Sequence, residues 1–137
     1  MHTESQRASK TKGQIEAEVS EAIIQFEKEY MGRGPLETKS YLIGDMLLVR
    51  LKGVLTQAEH QLVQSGEGAR GRELVKQVRI ELLEKGRPLL EKAVQDITRQ
   101  RVKSLHTDIS TSTGERIILF TLEAPAVFRD VPGAVGA

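Results

Sequence analysis

The segment from Gly32 to Glu59 constrains the fold more than any other part of the chain. It reads Gly-Arg-Gly-Pro, an apolar run, Gly44-Asp45, a second apolar run, and then Gly-Val-Leu-Thr-Gln-Ala-Glu. Gly32 suits the left-handed backbone that ends many helices, and Pro35 keeps a helix from resuming. Leu36 to Ile43 and Met46 to Lys52 read as strands joined at Gly44-Asp45, a pair fitted to tight turns that need positive φ. Thr56 and Glu59 then have the S/T-x-x-E spacing in which side chain and backbone satisfy each other at a helix start.

Helical periodicity flanks this hairpin. From Gln14 to Met31, the residues Ile15, Val19, Ala22, Ile23, Phe26 and Tyr30 recur at steps of three and four, with Glu16, Glu18, Glu21, Glu27 and Glu29 falling elsewhere. A short helix through Leu62 and Val63 leads to a flexible joint at Ser65-Gly-Glu-Gly68. From Arg70 to about Gln100 the pattern is again helical, with Val75, Val78, Leu82, Leu89, Ala93 and Ile97 on a drifting stripe. Gly86-Arg87-Pro88 interrupts it, which predicts a kink, or two helices with Pro88 in the first turn of the second. Arg101 to Ser110 and Glu115 to Glu123 form a second hairpin around Thr111-Ser-Thr-Gly114.

The expected fold is α+β: a four-stranded, mostly antiparallel sheet of two hairpins with long helices packed on one face, in the order α-β-β-α-α-β-β. Residues 1–10 are expected as a disordered polar tail, 11–123 as a single domain, and 124–137, rich in Pro, Gly and Ala, as a flexible tail. The last strand is apolar on both faces, so the sheet's second face needs a cover, with Met46, Leu48, Phe120 and Leu122 expected on it. A second copy in a homodimer or higher homo-oligomer is the expected cover. The alternative is the second half of the long helix.

Composition excludes several classes. A chain of 137 residues makes one domain, and zero cysteines rule out disulfides and thiolate chemistry. A net charge of +1 gives no global field for nucleic acid or an anionic membrane. Arg70, Arg72, Lys76, Arg79, Arg99, Arg101 and Lys103 are interspersed with glutamates and lack interleaved aromatics, so no nucleic-acid partner is expected. The longest apolar runs, Met46 to Val49 and Ile117 to Phe120, are far below the roughly 20 residues of a membrane span. With a polar N-terminus lacking a signal-like segment, the expected location is the cytoplasm.

Candidate chemistry is sparse. Arg33, between two glycines at a helix end, is a candidate grip for a carboxylate or phosphate, although Gly32 and Gly34 serve a helix stop and turn in any case. His106 and Asp108 share a strand face with Ser104 and Ser110, a fragment of an acid-base set with no activated nucleophile, and a solvated strand face is the preferred explanation. His60 has no second histidine one turn away and reads as a surface residue. Arg79, four after Val75 and three before Leu82, sits at the edge of the core stripe within reach of Asp108 or a glutamate. A stem laid on the core with its head in water is the simpler expectation. Arg33, Arg79 and Asp108 are therefore the ligand-binding candidates, with no catalytic set, no metal site and no cofactor expected.

Gly32-Arg33-Gly34-Pro35, Val54-Leu55-Thr56-Gln57-Ala58-Glu59, Gly71-Arg72 through Val78-Arg79, Asp108-Ile109-Ser110 and Gly114-Glu115-Arg116 resemble, in order and spacing, the MpsC-like family of small bacterial proteins. The resemblance spans roughly residues 11 to 123. It implies an intracellular accessory protein of a cation-translocating, membrane-potential-generating system associated with bicarbonate supply, and it carries no established catalytic residues. Taken with the surplus apolar sheet surface, it gives the expectation of a non-enzymatic, homo-oligomeric accessory or regulatory protein. Such a protein would dock to a partner such as a membrane transporter, and so lie peripheral to the inner membrane. The alternative expectation is a domain that senses a small anion or nucleotide.

Overall fold

The computed structural model describes residues 10–64 and 68–130. The elements run α1 (Lys12–Met31), β1 (Glu37–Ile43), β2 (Met46–Lys52), α2 (Gln57–Gln64), α3 (Gly68–Thr98), β3 (Val102–Ser110) and β4 (Glu115–Leu122). Helix α1 starts two residues earlier than its apolar stripe because Thr11 and Gln14 form a reciprocal cap. Gly32 ends it at φ 92°, and Gly44 turns the first hairpin at φ 61°. Ser65 to Glu67, most of the expected joint, and the stretches 1–9 and 131–137 lie outside the described residues. Residues 124–130 of the expected tail are anchored: Ala126 is buried, and Arg129 N–H donates to Lys10 O at 2.9 Å.

The four strands form one antiparallel sheet in the order β1-β2-β4-β3, so the two hairpins lie side by side through a β2–β4 ladder. Its register sets which side chains go inside. Leu47 pairs with Phe120 and Val49 with Ile118, so Leu47, Val49, Leu51, Ile118, Phe120 and Leu122 share the face that packs on Ile15, Val19 and Ile23 of α1 and Leu83, Leu90 and Val94 of α3. Each such side chain contributes about 1.5–3 kcal/mol of burial. Phe120 and Leu122 were expected on the other face; the pairing puts Ile117 and Leu119 there instead, beside Met46 and Leu48. On that face Met46, Leu48, Ile117 and Leu119 are half-buried, and Tyr41 and Ile43 are 41% and 50% exposed. The long helix does not cover it, because α3 packs along α1 on the inner face.

Helix α3 departs from its expected stripe by a quarter turn. Val75, Arg79, Leu83, Gly86, Leu90, Val94 and Thr98 point inward, whereas Val78 and Leu89 are 52% and 61% exposed. The sequence stripe skipped Arg79 as polar, although it lies at the centre of the buried arc. Nor does the helix break at Gly86-Arg87-Pro88: it runs continuously from Gly68 to Thr98 with Pro88 inside it. Pro88 faces solvent, where water can serve the carbonyl that its missing N–H leaves free, and Leu83 and Leu90 clamp the turns on either side. Gly86 is required by contact, since a Cβ there would lie 2.4 Å from the Phe26 ring.

Edge strand β1 is sealed on its free side. Leu42 N–H donates to Glu16 Oε2 at 2.8 Å and Ser40 Oγ meets Ser20 Oγ at 2.7 Å, tying α1 to the sheet and blocking strand addition there.

Glycine contacts yield a sharp contrast. A Cβ at Gly71 would sit 1.9 Å from the Leu62 carbonyl oxygen, a backbone atom, whereas Gly13 has nothing within 4 Å. Gly71→Ala is expected to destabilise the protein by about 2 kcal/mol or more. Gly13→Ala is expected to stabilise it by up to about 1 kcal/mol through helix propensity. Urea unfolding checks both, and equal effects of one sign would contradict the packing of α2 on α3.

Candidate functional site

The interior holds a quartet of charged side chains: Glu27 from α1, Glu59 from α2, Arg79 from α3 and Arg116 from β4. Glu27, Arg79 and Arg116 are 0%, 2% and 3% exposed. Arg79 organises them. Its Nε donates to Glu59 Oε2 at 2.9 Å and its Nη2 to Glu59 Oε1 at 2.7 Å, a two-pronged carboxylate grip, while Nη2 also donates to Val54 O at 2.8 Å. Arg79 Nη1 faces Glu27 Oε1 at 3.5 Å, and Arg116 Nη1 faces Glu27 Oε2 at 3.9 Å. Arg116 Nε donates to Thr107 Oγ1 at 3.2 Å, and that hydroxyl donates to Ile117 O at 2.8 Å.

Glu59 has two tasks. Its Oε1 accepts from Thr56 N–H at 2.8 Å while its own N–H donates to Thr56 Oγ1 at 3.2 Å, so the carboxylate that caps α2 also holds Arg79. Burial pushes the Glu59 carboxyl up, but the hydrogen bonds from Arg79 and Thr56 outweigh it and hold it below the usual range. Glu27 goes the other way. Burial pushes its carboxyl above the usual range, and Arg116 and Arg79 only partly offset that. Burial also lowers Arg116, against the pull of Glu27. Neither Glu27 oxygen has a hydrogen-bond partner among the described residues, nor does Nη1 of Arg79 or of Arg116. The quartet thus joins a strongly bonded half, Arg79 with Glu59, to a weakly bonded half, Glu27 with Arg116.

Of the sequence candidates, Arg79 and Asp108 come together and Arg33 stands apart. A cavity of about 60 Å³ is lined by Lys76, Arg79, Ile80, Thr107, Asp108, Ile109 and Arg116. The expectation that Arg79 keeps its head in water is overturned: capping Glu59 and buried Glu27 neutralise it inside. Asp108 is 82% exposed, with Oδ1 at 3.4 Å from Lys76 Nζ and accepting from Ile109 N–H at 2.8 Å. Arg33 donates to Leu55 O at 3.1 Å and to Gly34 O at 3.3 Å, which makes it a brace between two loops. His106 is exposed, and its Nε2 lies 3.3 Å from Ser104 Oγ. His60 is exposed on α2. Among the described residues no group of three or more His, Cys, Asp or Glu is placed to hold a metal ion.

Sequence reasoning missed Glu27 and Arg116. Glu27 lies four after Ile23 and eight after Val19, on the apolar stripe itself, and Arg116 alternates with Ile118 and Phe120 on the inner face of β4. A charge at an apolar position was the available signal in both cases.

A second surface lies on the solvent side of the helices. Ala22, Phe26 and Tyr30 of α1 and Leu89, Leu90 and Ala93 of α3 line an apolar groove of about 210 Å³. Exposed Leu74 and Val78 with half-buried Leu82 continue it along α3.

The family described as the Na+-translocating membrane potential-generating system (MpsC) matches residues 11–124. The chain is 46% identical over 113 residues to a Bacillus subtilis protein designated uncharacterized protein YbcI, covering 82% of this chain and 89% of that one. No solved structure matches.

The two glutamates give opposite dependences on pH. The depressed Glu59 contributes stability that is present above the ordinary carboxylate range and lost as pH falls through its folded value. The raised Glu27 contributes stability that is present below that range and lost as pH rises through its folded value. Glu59→Gln removes the first and leaves the burial that drives the second, so its stability should fall less steeply than the wild type's between about pH 5 and pH 3. Urea unfolding across that window measures it, and parallel curves would contradict the assigned role of Glu59.

Proposed function

The chain belongs to the MpsC family, and on that premise we propose a non-enzymatic, homo-oligomeric accessory or regulatory protein of a membrane-potential-generating, cation-translocating system associated with bicarbonate supply. It acts in the cytoplasm by docking to a membrane-embedded partner. No helix among the described residues is long and apolar enough to cross a membrane, so translocation itself falls to the partner. The observation that carries this reading is apolar surface left over on both sides of the fold: the open sheet face around Leu48 and Leu119, and the α3 stripe from Leu74 to Leu89. A protein that pairs with itself and also docks needs two such surfaces.

Light scattering at tens of micromolar should give twice the chain mass or a higher multiple; a monomer would remove the oligomeric part. Val78→Asp with Leu89→Asp should leave that mass unchanged and abolish co-purification of the family's membrane transporter in cross-linked membranes. Undiminished recovery of the transporter with this double variant would contradict docking through α3.

A second reading, a small-anion sensor, is favoured by the cavity beside Arg79 and Arg116, whose Nη1 atoms lack hydrogen-bond partners among the described residues. Bicarbonate, phosphate and formate at millimolar concentration should then raise the melting temperature, and Arg116→Met should abolish the shift. No shift with any of the three removes this reading.

A further inference from the structure

We infer that the open sheet face pairs with the same face of a second copy, about a two-fold axis that runs parallel to the strands between β2 and β4. The inference rests on the homo-oligomeric reading above and adds which surface is used and in what register.

The ladders fix the layout of that face. Tyr41 pairs with Leu48, Leu48 with Leu119, and Leu119 with His106, which makes one row across the four strands. The adjacent row is Lys39, Arg50, Ile117 and Asp108. Beyond it, at the same end of the sheet, lie Glu37 beside Lys52 and Ser110 beside Glu115. The face therefore gathers its charges at one end and carries Ile43 and Met46 beside Thr121 and Ser104 at the other, and its charged end is divided. Lys39, Arg50 and Lys52 outnumber Glu37 in the β1–β2 half; Asp108 and Glu115 occupy the β4–β3 half.

Of the two in-plane two-fold axes, only one suits this pattern. An axis across the strands would lay the Lys39–Arg50 row over the Ile43–Met46 end and bury Lys39 with no opposite charge facing it. An axis along the strands keeps each row over itself and exchanges left for right. Lys39 of one copy then faces Asp108 of the other, twice, while Leu48 faces Leu119 and Tyr41 faces His106. Packed sheets lie about 10 Å apart, a gap that a lysine stem and an aspartate span together. Within one chain Arg50 already bonds Glu115, and Asp108 has Lys76 at 3.4 Å, but Lys39 and Lys52 have no ion-pair partner among the described residues. Opposite signs at matched positions of one surface are what an isologous interface requires.

The absence of cysteine from the whole chain makes the test clean. Tyr41→Cys and His106→Cys are made as separate full-length variants, mixed in equal amounts, and treated with a short bismaleimide cross-linker. The mixture should give a cross-linked dimer and each variant alone should not. Cross-linking of either variant by itself in comparable yield, or none in the mixture while light scattering still reports a dimer, overturns this register and leaves the oligomeric reading standing. A monomeric mass removes both. In parallel, Lys39→Glu should weaken dimerisation about tenfold, and adding Asp108→Lys to the same chain should restore it. A double variant weaker than the single one contradicts the Lys39–Asp108 contact.

Discussion

The hold of Arg79 on Glu59 is the interaction on which the rest of the arrangement depends. One guanidinium reaches the capping carboxylate of α2, the carbonyl of Val54 in the loop after β2, and the buried carboxylate of α1. It therefore joins both long helices to the turn that follows the first hairpin. Burying an ion costs several kcal/mol unless partners replace its water. Arg79 meets that condition through three short bonds, and Glu27 does not, with only long contacts to two arginines. Such a group does little for net stability, but removing a partner is severe. Its consequence is positional, because α2 and α3 have one arrangement in which Glu59 serves both the cap and the clamp.

That arrangement decides what the protein presents to its surroundings. With α1 and α3 locked on the inner face, the other face of the sheet keeps its apolar rows, and the outer flank of α3 keeps Leu74, Val78 and Leu89. A fold that turned α3 by a quarter turn would bury Val78 and Leu89 and expel Arg79. The exposed stripe and the buried arginine are two aspects of one helix orientation.

Much of this architecture was legible in the residues. Both hairpins, the α-β-β-α-α-β-β order, the Thr56–Glu59 cap and the Gly32 stop follow from period and turn chemistry, which act over a few neighbours. What failed was whatever needs knowledge of a distant strand or helix. The faces of Phe120 and Leu122 depended on the β2–β4 register, which no local pattern encodes. Of the two outcomes expected at Pro88, a kink or two helices, the second fails: packing of Leu83 and Leu90 carries one helix through. Arg79 was expected with its head in water and is instead buried against Glu59 and Glu27, which were not linked to it. Glu27 and Arg116 were passed over because a charge on an apolar stripe is normally read as noise in the stripe. Those exceptions to the pattern form the buried charged quartet.

A double-mutant cycle between Arg79 and Glu59 tests the central claim most directly. Arg79→Met and Glu59→Gln are each expected to lose about 3–5 kcal/mol in urea unfolding at neutral pH. If one clamp accounts for both losses, the double variant should be little worse than the poorer single variant. Losses that simply add would mean that the two side chains act independently, and that the helices are held in place by something other than this ion pair.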